Sequence, residues 1–438
     1  MKNPGLFVII DSFKLNSTNM GKLILVTIVF LAFIDQSNSQ GWYGQTSSTS
    51  NFLYSINFPN ALTGWACGQN GTILKTTNVG TNWTSQQSNT TGFLYTILFI
   101  DANTGWTAGQ NGAIRKTTNS GISWVTQTSS FNGFIYSVFF TDAGTGYFAG
   151  STGAIYKTTT GGSNWFSQQS TVSNTLSCIH FPLSGTSLTG YISGGAATSG
   201  VVLKTINGGD NWMQLSGTGD NWLFGIYFTD MLSGWTGGIN GALFHTSNGG
   251  NNWINQSSGT INRIVSLNFV NTSTGWAVGY SGTIIKTTNG GINWSSQISN
   301  TIQNLWFVDF IDINFGWAAG WTGTILHTTN GGVTSIEQVS TAIPSEYKLI
   351  QNYPNPFNPT TIINFSIPAT QYTILKVYDA LGKEVNTLVN KMLSPGSYEV
   401  KFDGSNFSSG IYFYRIAIHS DKLETENFSE VKRMTLLK

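Results

Sequence analysis

A repeated unit runs through most of this chain and constrains its fold more than any other feature. In each unit, a Phe is followed seven residues later by an aromatic residue that comes directly after Gly. The pairs are Phe58 and Trp65, Phe99 and Trp106, Phe140 and Tyr147, Phe228 and Trp235, Phe269 and Trp276, and Phe310 and Trp317. A seventh pair, Phe181 and Tyr191, contains three extra residues. Such a repeat indicates small units that stack, because one unit cannot bury its apolar face alone.

Each unit predicts four short strands, because aromatic and β-branched residues alternate between turns rich in Gly and Asn. In the sixth unit we expect strands at Ile264–Phe269, Gly275–Gly279, Thr283–Thr288 and Asn293–Gln297. Four strands in about 41 residues are typical of one propeller blade. The sequence therefore predicts an all-β chain whose residues 40–335 form a seven-bladed β-propeller.

The seventh unit lacks its fourth strand, since no Trp follows the turn at 330–332. The missing strand is expected at the other end of the propeller. Trp42 precedes Phe52 by the same ten residues that separate Trp83 from Phe93. We therefore expect an N-terminal strand to complete the last blade, which removes an open sheet edge.

The turn between the third and fourth strands reads Thr-x-Asn-x-Gly-x-x-Trp, as at Asn289, Gly291 and Trp294. Asn can bond its own backbone, Gly can take a positive φ, and Trp can bury a large surface. With the string GWAVGYSGTIIKTTNGGINW from Gly275, these repeats resemble those of the YCF48/HCF136 family of photosystem II assembly factors. The turn is similar to the Asp-box (BNR repeat) of sialidase-type propellers. The resemblance covers about residues 41–332 and implies a propeller.

The N-terminal segment up to Ser39 predicts an export signal. Leu23–Ile34 form an apolar run of the length of a signal-peptide core, which is too short for a comfortable membrane span. Ser37 and Ser39 suit cleavage after position 39, and the true start is either Met1 or Met20. No apolar stretch of about 20 residues follows, so we expect no transmembrane span in the mature protein.

A change of composition marks a second domain. Glu337 is the first Glu of the chain, and further Glu residues follow it. We expect a linker at 336–346 and a separate domain at 347–438. Expected strands at 373–378, 396–402, 411–418 and 424–436 predict a small Ig-like β-sandwich.

This second domain closely resembles the type A C-terminal sorting domain of the type IX secretion system. The resemblance is carried by the run Asn352, Tyr353, Pro354, Asn355, Pro356, Phe357, Asn358 and Pro359, by residues 376–382, by Gly410 and Tyr412 within 410–415, and by residues 434–438. It implies recognition by the type IX machinery, and a protein that is secreted or held at the cell surface, in association with the outer membrane. An ordinary Ig-like adhesion module is the alternative.

The charged residues favour no catalytic site. Only 9% of residues are charged and the net charge is +1, so nucleic acid is not an expected partner. Arg115 and Arg263 are the only Arg residues of the propeller, whereas a sialidase needs three to hold its substrate carboxylate. Turn chemistry explains Asp101, Asp142, Asp230 and Asp312, which lie two residues after a repeat Phe, but it leaves out Asp210, Asp220 and Asp309. Asp210 and Asp220 flank the irregular fourth unit and are the candidate catalytic pair. The His residues have no metal-ligand spacing, so we expect no metal, no cofactor and no enzymatic activity.

A basic residue recurs in the third strand of each unit. The slot holds Lys75, Lys116, Lys157, Lys204 and Lys286, with His245 and His327 in the other two units. Two interpretations stay open. These side chains are either solvated on one strand of each blade, or they form a shallow cationic band for an acidic partner.

A binding surface is expected on the loops between the second and third strands, which lie on the face where propellers usually bind ligands. Tyr280 and Trp321 occupy these loops in adjacent units, where other units have Gln, Ser or Ile. Their rings either stack on a sugar or a peptide side chain, or pack on neighbouring loops. Arg263 is the third candidate ligand-binding residue. Trp222 aligns with Phe52 and is expected to be structural.

These observations predict an exported, monomeric binding or scaffold protein that recognises an unknown protein or glycan. A secreted glycan hydrolase of the Asp-box propeller type is one alternative. An assembly chaperone similar to YCF48 is the other.

Overall fold

The computed structural model describes residues 41–182, 188–197, 199–332, 336–404, 407–419 and 426–437. The predicted signal region and both possible starts lie outside these residues. The described chain consists of β-strands with a few short 3₁₀ turns, so the prediction of an all-β protein is confirmed.

Within the described residues, seven four-stranded antiparallel sheets occur between residues 43 and 328, numbered here sheet 1 to sheet 7 in the order of their first strands. The strands of sheets 1 to 4 are Leu53–Asn57, Gly64–Gly68, Ile73–Thr76 and Thr84–Gln86; Leu94–Phe99, Gly105–Gly109, Ile114–Thr117 and Val125–Gln127; Ile135–Phe140, Gly146–Gly150, Ile155–Thr158 and Phe166–Gln168; and Thr175–His180, Gly190–Ala196, Ser199–Thr205 and Met213–Leu215. The strands of sheets 5 to 7 are Leu223–Phe228, Gly234–Gly238, Leu243–Thr246 and Ile254–Asn255; Ile264–Phe269, Gly275–Gly279, Ile284–Thr287 and Ser295–Ser296; and Leu305–Phe310, Gly316–Gly320, Ile325–Thr328 and Tyr43–Gln45. The 3₁₀ turns are Gln69–Gly71, Gln110–Gly112, Ser151–Gly153, Ile239–Gly241 and Trp321–Gly323.

The N-terminal strand is the fourth strand of sheet 7. Tyr43–Gln45 pair antiparallel with the third strand of that sheet, with Tyr43 opposite His327. Trp42 is fully buried and meets Phe310 edge-on at 5.5 Å between ring centroids. This pairing agrees with the closure that the spacing of Trp42 predicts.

The Phe-aromatic pair of the repeat packs each sheet against the next. Trp65 of sheet 1 stacks on Phe99 of sheet 2, with ring centroids 3.6 Å apart and planes within 10°. Trp317 of sheet 7 stacks in the same way on Phe58 of sheet 1, at 3.6 Å. The Gly before each aromatic residue leaves room for the Phe of its own sheet, since a Cβ at Gly64 would collide with the Phe58 ring. The repeat therefore encodes contacts between sheets as well as strands.

Four of the recurring Lys residues donate hydrogen bonds to the neighbouring sheet, a role that neither interpretation of the basic slot included. Lys116 Nζ lies 5.1 Å above the Trp106 ring and donates to the Gly161 carbonyl of the next sheet at 2.9 Å. Trp106 Nε1 donates to the same carbonyl at 3.1 Å. Equivalent bonds run from Lys75 to Ser120, from Lys204 to Gly249 and from Lys286 to Gly331. These ammonium groups are therefore engaged in hydrogen bonds between neighbouring sheets.

We expect Lys116→Met to lower the free energy of unfolding by about 2 kcal/mol, because it removes a cation–π contact and a charge-assisted hydrogen bond. Lys157 provides a comparison, because its Nζ lies farther from its ring, at 5.8 Å from Tyr147, and pairs with the exposed carboxylate of Asp210 at 3.1 Å in place of a backbone carbonyl. Lys157→Met should cost less than about 1 kcal/mol. Urea unfolding of both variants measures the difference, and equal losses would contradict the inter-sheet role of Lys116.

The C-terminal region contains two further four-stranded antiparallel sheets. Their strands, in spatial order, are Ile336–Ser340, Gly396–Asp403, Thr360–Ile367 and Lys348–Leu349, and then Glu384–Leu393, Gln371–Tyr378, Gly410–His419 and Glu426–Leu436. Apolar side chains of both sheets, such as Phe365 and Tyr414, share one buried core.

The predicted linker differs from the structure. Ile336–Ser340, at the start of the 336–346 segment, form a strand that pairs with Gly396–Asp403. The pairing brings together segments that are far apart in the sequence, and the local composition gives no sign of it. The C-terminal fold therefore begins at Ile336 and not at the predicted boundary at 347.

Candidate functional site

A cavity of about 480 Å³ lies where the first strands of the seven sheets meet. Each first strand lines it with two recurring side chains, three positions apart, such as Tyr54 and Asn57 in sheet 1. Three residues of an extended strand span about 10 Å. The cavity therefore has two rings of side chains at different depths along its axis.

The positions equivalent to Tyr54 hold mostly aromatic residues. They adjoin further aromatic residues, which lie just before the first strands and in the loops between the second and third strands, and they also adjoin Arg263. We call this set the aromatic collar. It comprises Phe52, Tyr54, Phe93, Tyr95, Phe134, Tyr136, Trp222, Phe224, Arg263, Tyr280, Trp306 and Trp321. Tyr54 contacts both Tyr95 and Trp306, with centroids 5.1 and 5.5 Å apart. The contacts run from Phe224 through Arg263, Tyr280 and Trp306 to Tyr54, Tyr95 and Tyr136, and they are interrupted at sheet 4, where the equivalent position is Ser177.

The three predicted ligand-binding residues come together in this collar. Tyr280 and Trp321 lie 6.1 Å apart, and Trp321 stacks on Phe52 at 4.8 Å. The Arg263 guanidinium lies 4.6 Å from the ring centres of both Tyr280 and Phe224. Its Nη1 donates to the Tyr280 hydroxyl at 2.9 Å. The two rings pack on neighbouring residues and are partly exposed, and stacking on a ligand stays a prediction.

The collar offers flat apolar faces and one cation. Among the described residues, the indole N–H groups of Trp222, Trp306 and Trp321 are buried and have no hydrogen-bond partner. Desolvation raises the pKa of Tyr95 to about 12, so its hydroxyl stays neutral at physiological pH. Phe134 is 39% exposed. A ligand can therefore stack on the partly exposed rings and meet the cation of Arg263 here.

Sequence reasoning missed most of this surface. It singled out loop residues and expected Trp222 to be structural, and Trp222 stacks on Phe224 in the collar at 4.9 Å. A usable signal was present, because aligning the units on Tyr54 gives Tyr, Tyr, Tyr, Ser, Phe, Val and Trp. That position is next to a buried residue in every unit, and it is recognisable as a site only once the strands are arranged around an axis.

The second ring of the cavity, which we call the polar ring, is Asn57, Leu98, Phe139, His180, Tyr227, Asn268 and Asp309. Asp309 Oδ2 accepts hydrogen bonds from the Phe58 backbone N–H at 2.6 Å and from Asn57 Nδ2 at 3.3 Å. Burial nevertheless raises the pKa of Asp309 to about 6, because these two bonds only partly offset the loss of solvent. Sequence reasoning assigned Asp309 neither a turn role nor any other role.

The raised pKa predicts a pH-dependent stability. The folded protein binds a proton more tightly than the unfolded chain between about pH 4 and 6, so ionisation of Asp309 lowers stability as the pH rises. His180 and Tyr227 do not titrate there, since burial moves their pKa values to about 3 and about 12. Relative to wild type, Asp309→Asn should therefore be neutral below pH 4 and stabilising by up to about 3 kcal/mol above pH 6. Thermal unfolding across this range measures the effect, and a pH-independent difference would contradict it.

Five of the propeller carboxylates have structural contacts. Asp101, Asp142, Asp230 and Asp312 each accept backbone N–H bonds two and three residues ahead, as expected for turn residues. Asp210 pairs with Lys157 and is exposed. Asp210 and Asp220 flank opposite ends of the strand Met213–Leu215. Within the described ranges, no three His, Cys, Asp or Glu side chains lie close enough to hold a metal ion.

The predicted sorting motif contacts the last two strands of the C-terminal sheets. Phe357 is 2% exposed and packs on Phe402, and its backbone N–H donates to the Thr435 carbonyl at 2.9 Å. Asn352 is also buried, and its backbone N–H donates to the Tyr414 hydroxyl at 2.8 Å. Tyr353, in contrast, is 81% exposed.

The remaining residues of the sorting motif likewise either make contacts within the domain or are exposed. Asn355 brackets the last strand, because its Oδ1 accepts from the Thr435 backbone N–H at 3.0 Å. The Pro359 carbonyl accepts from Gly404 N–H at 2.8 Å, and Tyr412 donates to the Ser408 carbonyl at 2.8 Å. The exposed members are Tyr353, Pro354, Asn355, Pro356, Asn358 and Gly410. The motif therefore combines buried anchors with an exposed stretch around Tyr353.

Two family models match the chain. Residues 351–427 match the secretion system C-terminal sorting domain. Residues 28–118 and 255–358 match the photosynthesis system II assembly factor YCF48. The chain therefore carries YCF48-type propeller repeats and a type IX sorting domain. The sorting domain indicates a protein that is secreted or located at the cell surface. The described residues contain no helix with the length and hydropathy of a membrane span.

Solved structures share the fold at low sequence identity. YCF48 bound to D1 peptide is 19% identical with a TM-score of 0.57, over 66% of this chain and 97% of that one. PorZ, a bacterial surface component of the type IX secretion system of Porphyromonas gingivalis, is 12% identical with a TM-score of 0.52, over 90% of this chain and 60% of that one. The GH74 xyloglucanase of Xanthomonas campestris is 11% identical with a TM-score of 0.56, over 74% and 59%. No curated protein sequence matches the chain.

Proposed function

We propose that this chain is an exported, non-enzymatic recognition protein that binds its ligand on the aromatic collar. The seven sheets act as the blades of one closed ring, and the two C-terminal sheets act as an Ig-like sandwich read by the type IX machinery. The mature protein works as a monomer in this proposal. The observation that carries it is the set of aromatic rings, with Arg263, that lines most of one end of the axial cavity.

The chemistry of the collar defines what the ligand must offer. Flat aromatic rings bind sugar faces and apolar or aromatic side chains, and exposed aromatic patches of this kind mark interaction sites. Arg263 adds one cation, which favours a ligand with a carboxylate or another anionic group nearby. A protein or a glycan surface can satisfy both demands.

The ion pair that Asp210 already makes supports binding over hydrolysis. A glycosidase needs two carboxyl groups about 5 to 9.5 Å apart, and Asp210 is engaged with Lys157 at 3.1 Å. The likeness to the xyloglucanase is 11% in sequence and is a likeness of fold. The likeness to YCF48 is equally one of fold, so a role in photosystem assembly is not proposed.

The test is a binding and turnover assay with the mature chain against polysaccharides, sialosides and peptides. Trp321→Ala should weaken the best ligand by about 10- to 100-fold, as for the loss of an aromatic anchor at an interface. Phe166→Ala is the matched control, since Phe166 is 61% exposed on a fourth strand away from the collar. Turnover that Asp210→Asn or Asp220→Asn abolishes would favour the hydrolase instead.

A further inference from the structure

The polar ring contains acceptor groups that the fold does not use. Three of its members hold the next sheet by accepting a backbone N–H, in each case from the Phe of the repeat. Asn57 Oδ1 accepts from Phe99 at 2.8 Å, and His180 Nδ1 accepts from Phe228 at 3.3 Å. Asp309 makes the equivalent bond to Phe58. A neutral Asn or His is sufficient for this role, so the charge of Asp309 is not explained by it.

The unused acceptors lie in adjacent sheets. Both hydrogen bonds described for the Asp309 carboxylate go to Oδ2. Asn268, at the same position of sheet 6, is 9% exposed, and its Oδ1 has no partner among the described residues. Both side chains line the axial cavity. Asp309 and Asn268 are thus lining residues of one cavity, each with an acceptor that no described residue engages.

Among the described residues that line the cavity, no cationic side chain belongs to the polar ring. Arg263 is the cationic residue of that lining, and it comes five residues before Asn268, at the start of the strand. Five strand residues span about 16 Å, so Arg263 cannot neutralise Asp309 by direct contact. His180 in the same ring is neutral, because burial lowers its pKa to about 3.

We propose that Asp309 and Asn268 bind the primary ammonium group of a ligand that enters the axial cavity. An ammonium has three donors and no acceptor, which suits a carboxylate, an amide oxygen and a third group such as the Tyr227 hydroxyl. A metal ion is disfavoured by the small number of anionic ligands. The ligand is expected to carry the ammonium on an apolar stem. Leu98 and Phe139 belong to the polar ring, and the aromatic residues of the collar lie about 10 Å away along the axis of the cavity.

The chemistry has three possible sources: a lysine side chain of a partner, the N-terminus of a peptide, or a free amine. Nα-acetyl-lysine amide, phenylalanine amide and n-hexylamine represent these sources in turn. n-Hexanol has the same stem as hexylamine without the charge. Calorimetric titration of the mature chain at pH 7 with each probe is the direct measurement.

At least one amine should bind, with hexanol at least tenfold weaker than hexylamine. Asp309→Asn should weaken that amine at least tenfold and remove the rise in melting temperature that the amine gives the wild type. Asn268→Leu should weaken it by about threefold or more. Asp220→Asn, an exposed carboxylate outside the cavity, is the matched control and should bind like the wild type.

The site stands apart from the proposed function of the collar. Loss of amine binding in Asp309→Asn with unchanged ligand binding in the panel assay supports it. Equal binding of hexanol and hexylamine, equal binding by Asp309→Asn and wild type, or no binding of any amine to the wild type would overturn it.

Discussion

Removing Gly41–Ser48 will destabilise the propeller far more than removing Met1–Ser39. The deletion takes away the fourth strand of sheet 7 and exposes the edge of Ile325–Thr328, which is paired with Tyr43–Gln45 in the intact chain. An open edge also invites pairing with other molecules. We expect a melting temperature lower by about 10 °C or more and self-association, measured by thermal unfolding and by light scattering.

Single substitutions test the same closure without removing backbone. Trp42 is fully buried, and its Nε1 donates to Gln297 Oε1 at 2.8 Å; Trp83 is 5% exposed and donates to Gln45 at 3.4 Å. Trp42→Ala and Trp83→Ala should each lower the free energy of unfolding by about 3 to 5 kcal/mol. A much smaller loss for Trp42→Ala, or equal melting temperatures for the two truncations, would contradict the closure.

The second large effect concerns export. Residues 336–438 fused to a periplasmic reporter should send it to the surface or medium of a host with the type IX machinery, while the chain without them should accumulate in the periplasm. The fusion begins at Ile336 because Ile336–Ser340 form a strand of the C-terminal sheets. A reporter that stays in the periplasm, or a truncated chain that still reaches the medium, would contradict the sorting role.

Point variants separate folding of this domain from its recognition. Tyr353→Ala should change stability by less than about 0.5 kcal/mol, since the ring is 81% exposed, yet reduce export at least tenfold. Phe357→Ala should cost about 3 to 5 kcal/mol, because that ring is 2% exposed. Met392→Ala, at a residue 47% exposed, is the control for loss of surface apolar area. Normal export of Tyr353→Ala would assign recognition to another part of the domain.

The propeller could be predicted from the sequence because each unit repeats the same pattern of residues. The Phe-Gly-aromatic spacing that identifies a unit is also the contact between sheets, as Trp65 and Phe99 illustrate. The strand Ile336–Ser340 was not accessible, because its pairing depends on Gly396–Asp403, a partner strand far along the chain.

The candidate site could be predicted from the sequence only in part. Tyr280, Trp321 and Arg263 stand out by comparison between units, and the structure brings them together. The remainder depends on the arrangement of first strands around an axis, which no single unit contains. The same holds for Lys116, whose recurrence is evident but whose partner, Gly161, lies in the next unit.

The location of the ligand is the most direct test of the central claim. A photo-crosslinking residue, p-benzoylphenylalanine, replaces either Phe134 or Phe166. The first is 39% exposed on the collar and the second is 61% exposed on the fourth strand of the same sheet. The proposal predicts that irradiation with the best ligand of the panel gives an adduct at position 134 and none at 166. Adducts at 166 alone, or equal yields at both positions, would contradict recognition at the aromatic collar.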